Sequence, residues 1–183
     1  MSTIIARWQD WSGLGVEHLV LNERSHQIVA DAAVIGSVDD RLFAVRYQII
    51  CDAQWRVKRI GVGEVGSERA IEFVSDGAGK WVDGSGASQP QLATAIDVDI
   101  SITPFTNTLP IRRLHLQKGE SREIVVVYIQ LPNLSMTTDR QRYTCLDARH
   151  YLYESVDSDF KREIEVDGRG LVTEYPGLFR RIL

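Results

Sequence analysis

The sequence predicts a mainly β fold: one many-stranded antiparallel sheet, curled and barrel-like, with very little helix, and residues 1–183 forming a single domain. Three observations carry this reading. Apolar residues recur with a period of two along most of the chain, glycine- and aspartate-bearing breaks separate the runs, and almost no segment keeps the i, i+3, i+4, i+7 spacing of an amphipathic helix over three turns. About a dozen strands are legible, and twisted open sheets rarely exceed about ten, so the sheet should curl, close or roll over.

The elements follow in chain order. Trp8 and Trp11 are expected to pack down a terminal strand. In "RLFAVRYQIICD", Phe43, Val45, Tyr47, Ile49 and Cys51 share one face, with Arg46, Gln48 and Asp52 among those on the other. "AQWRVKRIGV" repeats the pattern, with Trp55 and Val57 against Arg56 and Lys58. Asp39-Asp40 is a short polar break of the kind that closes a hairpin, and further turns are expected at Asp76-Gly77, Asp83-Gly84, Lys118-Gly119 and Asp167-Gly168, where glycine permits positive φ. The one candidate helix is short, Ser88 to Ala95, with Pro90 in its first turn. "REIVVVYIQL" is apolar at nearly every position from Ile124 to Leu131 and should be covered on both faces. "RQRYTCL", "RHYLYES", "FKREIEV" and "LVTEY" complete the meander. The tail should close the roll, with Leu178, Phe179 and Ile182 docked and Arg180 and Arg181 reaching outward or pairing with acids.

Composition excludes several function classes. The 21 basic and 25 acidic residues give a net charge of −4, which leaves no electrostatic footprint for nucleic acid. No apolar run approaches the roughly 20 residues of a membrane-spanning helix, and the N-terminus lacks the pattern of a signal peptide, so the cytoplasm is the expected compartment. Cys51 and Cys145 lie in strand-like runs and are expected to be buried and unpaired. No nucleophile elbow, phosphate-cradling glycine loop or paired-histidine signature occurs; His18, His26, His115 and His150 are scattered. No catalytic residue, cofactor or metal is therefore expected.

The segment "DVDISITPFTNTLPIRRL", Asp97 to Leu114, concentrates the unusual chemistry. Ile96, Val98, Ile100 and Ile102 line one face of a strand, and Asp97, Asp99, Ser101 and Thr103 line the other. The two carboxylates stand about 6.6 Å apart along the strand. That distance suits an inverting glycosidase, but parallel side chains do not flank a scissile bond as acid and base must. Pro104 and Pro110 should stiffen the intervening loop and push Thr103 and Leu109 toward extended conformations. Thr106, Asn107 and Thr108 offer groups that donate and accept, and Phe105 an apolar plate, a set that suits a polyol. A strand is expected to resume at "IRRL", with Arg112 and Arg113 on opposite faces so that one meets the aspartates. Trp81, between two Asp-Gly turns, is a further candidate for stacking on a ligand, although capping the core is the commoner role. The candidate ligand contacts are thus Asp97, Asp99, Thr103, Phe105, Thr106, Asn107, Thr108, Arg112, Arg113 and Trp81.

The chain resembles a bacterial family described as "putative glycolipid-binding" proteins, long classed as a domain of unknown function. The resemblance covers nearly the whole length and is carried by "RYQIICDAQWRVKRI", "DGAGKWVDGSG", "DVDISITPFTNTLPIRRL" and "GLVTEYPGLFRRI". A Gly-Cys pair that often precedes the aspartate strand in that pattern is replaced here by Thr94-Ala95. The resemblance implies a spiral β-roll enclosing a cavity and binding of a glycolipid or related amphiphile, and it brings no catalytic residues; the first reading is a non-enzymatic binding protein. Two other readings stand beside it: a glycosyl or ester hydrolase using Asp97 and Asp99, and a structural or partner-binding domain without a ligand.

Overall fold

The computed structural model describes residues 2–183. The strands are β1 (Ser2–Asp10), β2 (Val16–Glu23), β3 (Gln27–Val38), β4 (Arg41–Asp52), β5 (Val57–Glu64), β6 (Ala70–Ser75), β7 (Trp81–Asp83), β8 (Asp97–Ile100), β9 (Ser121–Gln130), β10 (Ser135–Cys145), β11 (His150–Ser155), β12 (Lys161–Val166), β13 (Val172–Tyr175) and β14 (Phe179–Arg181). One helix, α1 (Thr108–Leu114), lies between β8 and β9. All fourteen strands belong to one sheet, in the order β7-β6-β5-β4-β3-β2-β1-β14-β13-β12-β11-β10-β9-β8. Neighbours are antiparallel except β8 and β9, which run parallel.

This order forces the sheet to roll. The chain meanders from β1 at the middle out to β7 at one edge, then reappears as β8 at the opposite edge. Residues 84–96 can span at most about 50 Å, whereas the edges of a flat sheet this wide would stand about 60 Å apart. The edges accordingly approach each other: the Trp81 indole N–H donates to the Ala95 carbonyl at 2.8 Å, and the Thr94 N–H to the Gly79 carbonyl at 3.2 Å. No ladder joins β7 to β8, so the roll is not closed into a barrel. Gly79 has φ +98, and a Cβ there would stand 2.8 Å from Thr94 Cα, so this seam requires a glycine.

The hairpin signals hold except Lys118-Gly119, which turns the chain from α1 into β9 and closes no hairpin, and two others are refined. Asp39 and Asp40 both adopt positive φ in the two-residue turn joining β3 and β4, as a tight hairpin of right-handed twist demands. At Asp83-Gly84 and Asp167-Gly168 the positive φ falls on a later glycine, Gly86 and Gly170. There the aspartate side chain accepts successive backbone N–H groups, for example from Ser85 and Ala87 to Asp83.

Two expectations for local structure are corrected. Ser88 to Ala95 is not a helix: only Pro90–Leu92 makes a single 3-10 turn, because the segment must travel between the two edges. The stretch after β8 is not a stiff extended loop followed by a strand. Phe105–Asn107 forms a 3-10 turn that runs directly into α1. Pro110 is tolerated as the third residue of α1, because the first four N–H groups of a helix have no partner within it. His115, with φ 49 and ψ 41, ends α1, and Arg112 and Arg113 occupy its last turn, where cations suit the helix dipole.

The turn and helix fill the interior and divide it. One apolar cluster joins Phe105 and Leu109 to β1 through β6, β8 and one face of β9; a second joins Ile111 to the other face of β9 and to β10 through β13. Val127 and Ile129 therefore face one cluster and Ile124 and Val126 the other, which is why this strand is apolar throughout. Cys51 and Cys145 are buried and free. Trp8 is buried, its N–H donating to the Val172 carbonyl at 2.7 Å, but Trp11 is 51% exposed and does not pack down the strand. The tail does not close the roll: β14 lies mid-sheet, joining β1 to β13, while the seam is at β7 and β8, and Leu178 and Ile182 remain exposed.

Candidate ligand-binding clefts

The β8 aspartates point to the same side and meet different partners. Asp97 is fully buried and receives Arg113 in a forked ion pair, with Nε at 3.0 Å from Oδ1 and Nη2 at 2.6 Å from Oδ2. Burial pushes its carboxyl up, against the pull of Arg113. Asp99 accepts the Thr106 hydroxyl at 3.0 Å and the Gln141 amide at 2.7 Å. The same Gln141 nitrogen donates to Asp139 at 3.1 Å. Burial raises the Asp99 carboxyl, and the charge of Asp139 adds to the rise.

Asp99 and Asp139 open on a cleft of about 440 Å³. Its polar wall carries Ser101, Thr103, Asn107 and Ser155; its aromatic wall carries Tyr128, Tyr153, Tyr175, Phe160 and Phe179. The aromatic rings hold one another edge to face: Tyr153 packs on Tyr143 at 5.4 Å between centroids, on Phe160 at 5.9 Å and on Tyr175 at 6.2 Å. Tyr143 stands behind Asn107 and donates to its side-chain oxygen at 2.9 Å, while the Asn107 amide donates to the Pro104 carbonyl at 3.1 Å. The cleft is thus a rigid surface of carboxylates, hydroxyls and ring faces.

A second cleft of about 270 Å³ adjoins it, sharing Ser101, Leu178 and Phe179. Its lining is mainly apolar: Trp8, Trp11, Val34, Ile35, Phe43 and Ile102. Exposed Trp11, Ile35 and Leu178 stand among these lining residues. Glu17 lies in its wall and is buried; Tyr47 donates a short hydrogen bond to one carboxyl oxygen and Thr103 donates to the other at 2.6 Å. Burial pushes the Glu17 carboxyl up to about 7, despite both donors. Thr103 lines the polar cleft alone and reaches the other only through its hydrogen bond to Glu17.

The structure brings Asp99, Thr103 and Asn107 to the polar cleft, with Thr106 one bond behind on Asp99. Phe105 and Thr108 are buried in the interior and line neither cleft. Arg112 and Arg113 stand next to each other on α1 rather than on opposite faces of a strand. Arg113 seals Asp97, while Arg112 stacks 4.6 Å over Trp55 and donates to the Arg169 carbonyl at 2.8 Å. Trp81 is buried at the edge-to-edge seam, away from both clefts. Asp97 opens on neither cleft, so the two β8 carboxylates share no position for a scissile bond.

Sequence reasoning missed Glu17, Asp139, Gln141, Tyr153 and Tyr175. The signal existed for Glu17, which falls in phase with inward-facing Leu19 and Leu21, and for Asp139 and Gln141, in phase with Tyr143 and Cys145. A polar residue on the apolar phase of a strand is the pattern to seek. Among the described residues no group of three or more His, Cys, Asp or Glu side chains is placed to hold a metal ion, and no helix is long and apolar enough to cross a membrane.

No curated protein matches the chain. The fold is similar to a crystal structure of a DUF1089-family protein from Pseudomonas aeruginosa, with a TM-score of 0.81 and 37% sequence identity over 92% of each chain. The family model described as "Putative glycolipid-binding" matches residues 5–181, almost the whole roll and every residue of both clefts, and the chain belongs to that family.

Proposed function

We propose that the protein binds an amphiphile, a glycolipid or similar sugar-bearing lipid, without turning it over. The headgroup sits in the Asp99–Asp139 cleft and an acyl chain lies in the Trp11–Phe43 cleft. The observation that carries this reading is the junction: a cleft with one carboxylate- and hydroxyl-bearing wall and a mainly apolar cleft share Ser101, Leu178 and Phe179, which suits one molecule with two unlike ends. Polar side chains at fixed positions give orientation, and apolar walls supply most of the free energy. Each methylene taken out of water contributes about 0.8 kcal/mol, close to fourfold in affinity. The family description supports the same reading.

Native mass spectrometry of gently purified protein, followed by extraction of whatever remains bound, tests it. A co-purifying sugar-bearing lipid that is lost in Ile102→Trp, which fills the apolar cleft, is the expected result. Protein that arrives empty and takes up no alkyl glycoside of any chain length would remove the basis for the reading.

A further inference from the structure

Resting on that amphiphile reading, we propose that the polar cleft selects a hydroxyl-rich headgroup that carries no anionic group, and rejects phosphate, sulfate and carboxylate headgroups. The chain holds 21 Lys and Arg residues, yet among the described residues none of them, and no His, lines either cleft. Four acids do: Asp10 and Glu17 in the apolar cleft, Asp99 and Asp139 in the polar one. The donors near these acids are already committed. Gln141 gives its amide nitrogen to Asp99 and Asp139, Thr106 gives its hydroxyl to Asp99, and Thr103 gives its own to Glu17. An entering anion would meet carboxyl groups, with no cation in the lining to offset its desolvation.

The groups left without a protein partner suit a sugar. Tyr153 and Tyr175 are 6% and 5% exposed, line the cleft, and their hydroxyls meet no hydrogen-bond partner among the described residues. Burial and the nearby Asp99 charge hold both phenols protonated, against an opposing pull of Arg162 on Tyr175, so each can donate to a ring or hydroxyl oxygen. Asp139 spends one oxygen on Gln141; its Oδ1 meets no donor among the described residues and can accept from a sugar hydroxyl or an ammonium. The ring faces of the aromatic wall cover the less polar side of a pyranose. Arg162 packs on a wall residue, 5.0 Å from the Phe160 ring centroid, but its Nη1 donates to the Lys161 carbonyl and it does not line the cleft.

The test compares lipids that share two octanoyl chains and differ only in headgroup: glucosyl, glucosaminyl and phosphoglycerol, titrated into the full chain by calorimetry. Glucosyl and glucosaminyl lipids should bind, and the phosphoglycerol lipid should bind at least about tenfold more weakly. Asp139→Asn should narrow that gap, and Tyr153→Phe should weaken the glucosyl and glucosaminyl lipids and leave the phosphoglycerol lipid unchanged. Phosphoglycerol lipid binding as tightly as glucosyl lipid overturns the headgroup assignment and leaves the amphiphile reading standing. Binding of none of the three overturns both.

Discussion

Asp97 and Asp99 stand two residues apart on one face of β8, and the fold gives them opposite surroundings. Asp97 is sealed under α1 by the fork of Arg113, whereas Asp99 shares the Gln141 amide with Asp139 at the wall of an open cleft. The difference arises from what covers the strand. α1 folds back over the Asp97 end and seals it with Arg113, and the Asp99 end meets Thr106 and β10, whose inward positions there are polar. Identical residues on one strand are therefore scaffold at one end and candidate site at the other.

Removing the sealing partner should have the largest effect. Arg113→Ala leaves a buried carboxylate without its counter-ion, and such losses cost about 3–5 kcal/mol. Urea denaturation should show a fall of that size, while any folded fraction keeps its ligand affinity. A fall in affinity without a fall in stability would place Arg113 in the site instead.

Glu17 gives the next effect, and it depends on pH. In the unfolded chain this carboxyl ionises near 4.5, and in the fold near 7. Between those values the unfolded chain releases its proton first, so the contribution of Glu17 to stability falls as pH rises through the window, by about 3 kcal/mol in all. Denaturation midpoints measured from pH 4 to 8 should decline in the wild type and decline far less in Glu17→Gln. Parallel curves for the two proteins would contradict the burial argument.

On the open side the effects should reverse in kind. Tyr153→Phe removes a hydroxyl that has no protein partner, so stability should change by less than about 1 kcal/mol, while affinity for a glycosyl headgroup should drop severalfold. A large loss of stability here would mean that the phenol serves the core.

Much of the fold was legible because a half-buried strand must alternate, and the runs from Phe43 to Cys51 and from Ile124 to Leu131 are where the reading says they are. The helix was not legible. Seven residues carrying Pro110 show no helical period, and the preference of Leu109 for an extended backbone was overridden by burying Leu109 and Ile111. The site was half legible: Asp99, Thr103 and Asn107 lie in the marked segment, but the partners that decide the role of Asp99 come from β10, β11 and β13. Tyr153 and Tyr175 sit at inward positions, where sequence alone cannot tell a core tyrosine from one facing a cleft.

The claim that one amphiphile spans both clefts is tested most directly by a crystal structure with a glucosyl lipid brominated near the end of its acyl chain, located by anomalous scattering. The bromine peak should lie against Trp11, Val34 and Phe43, with the sugar between Asp139 and Tyr153. A bromine peak in the polar cleft, or on the outer face of the sheet, would contradict it.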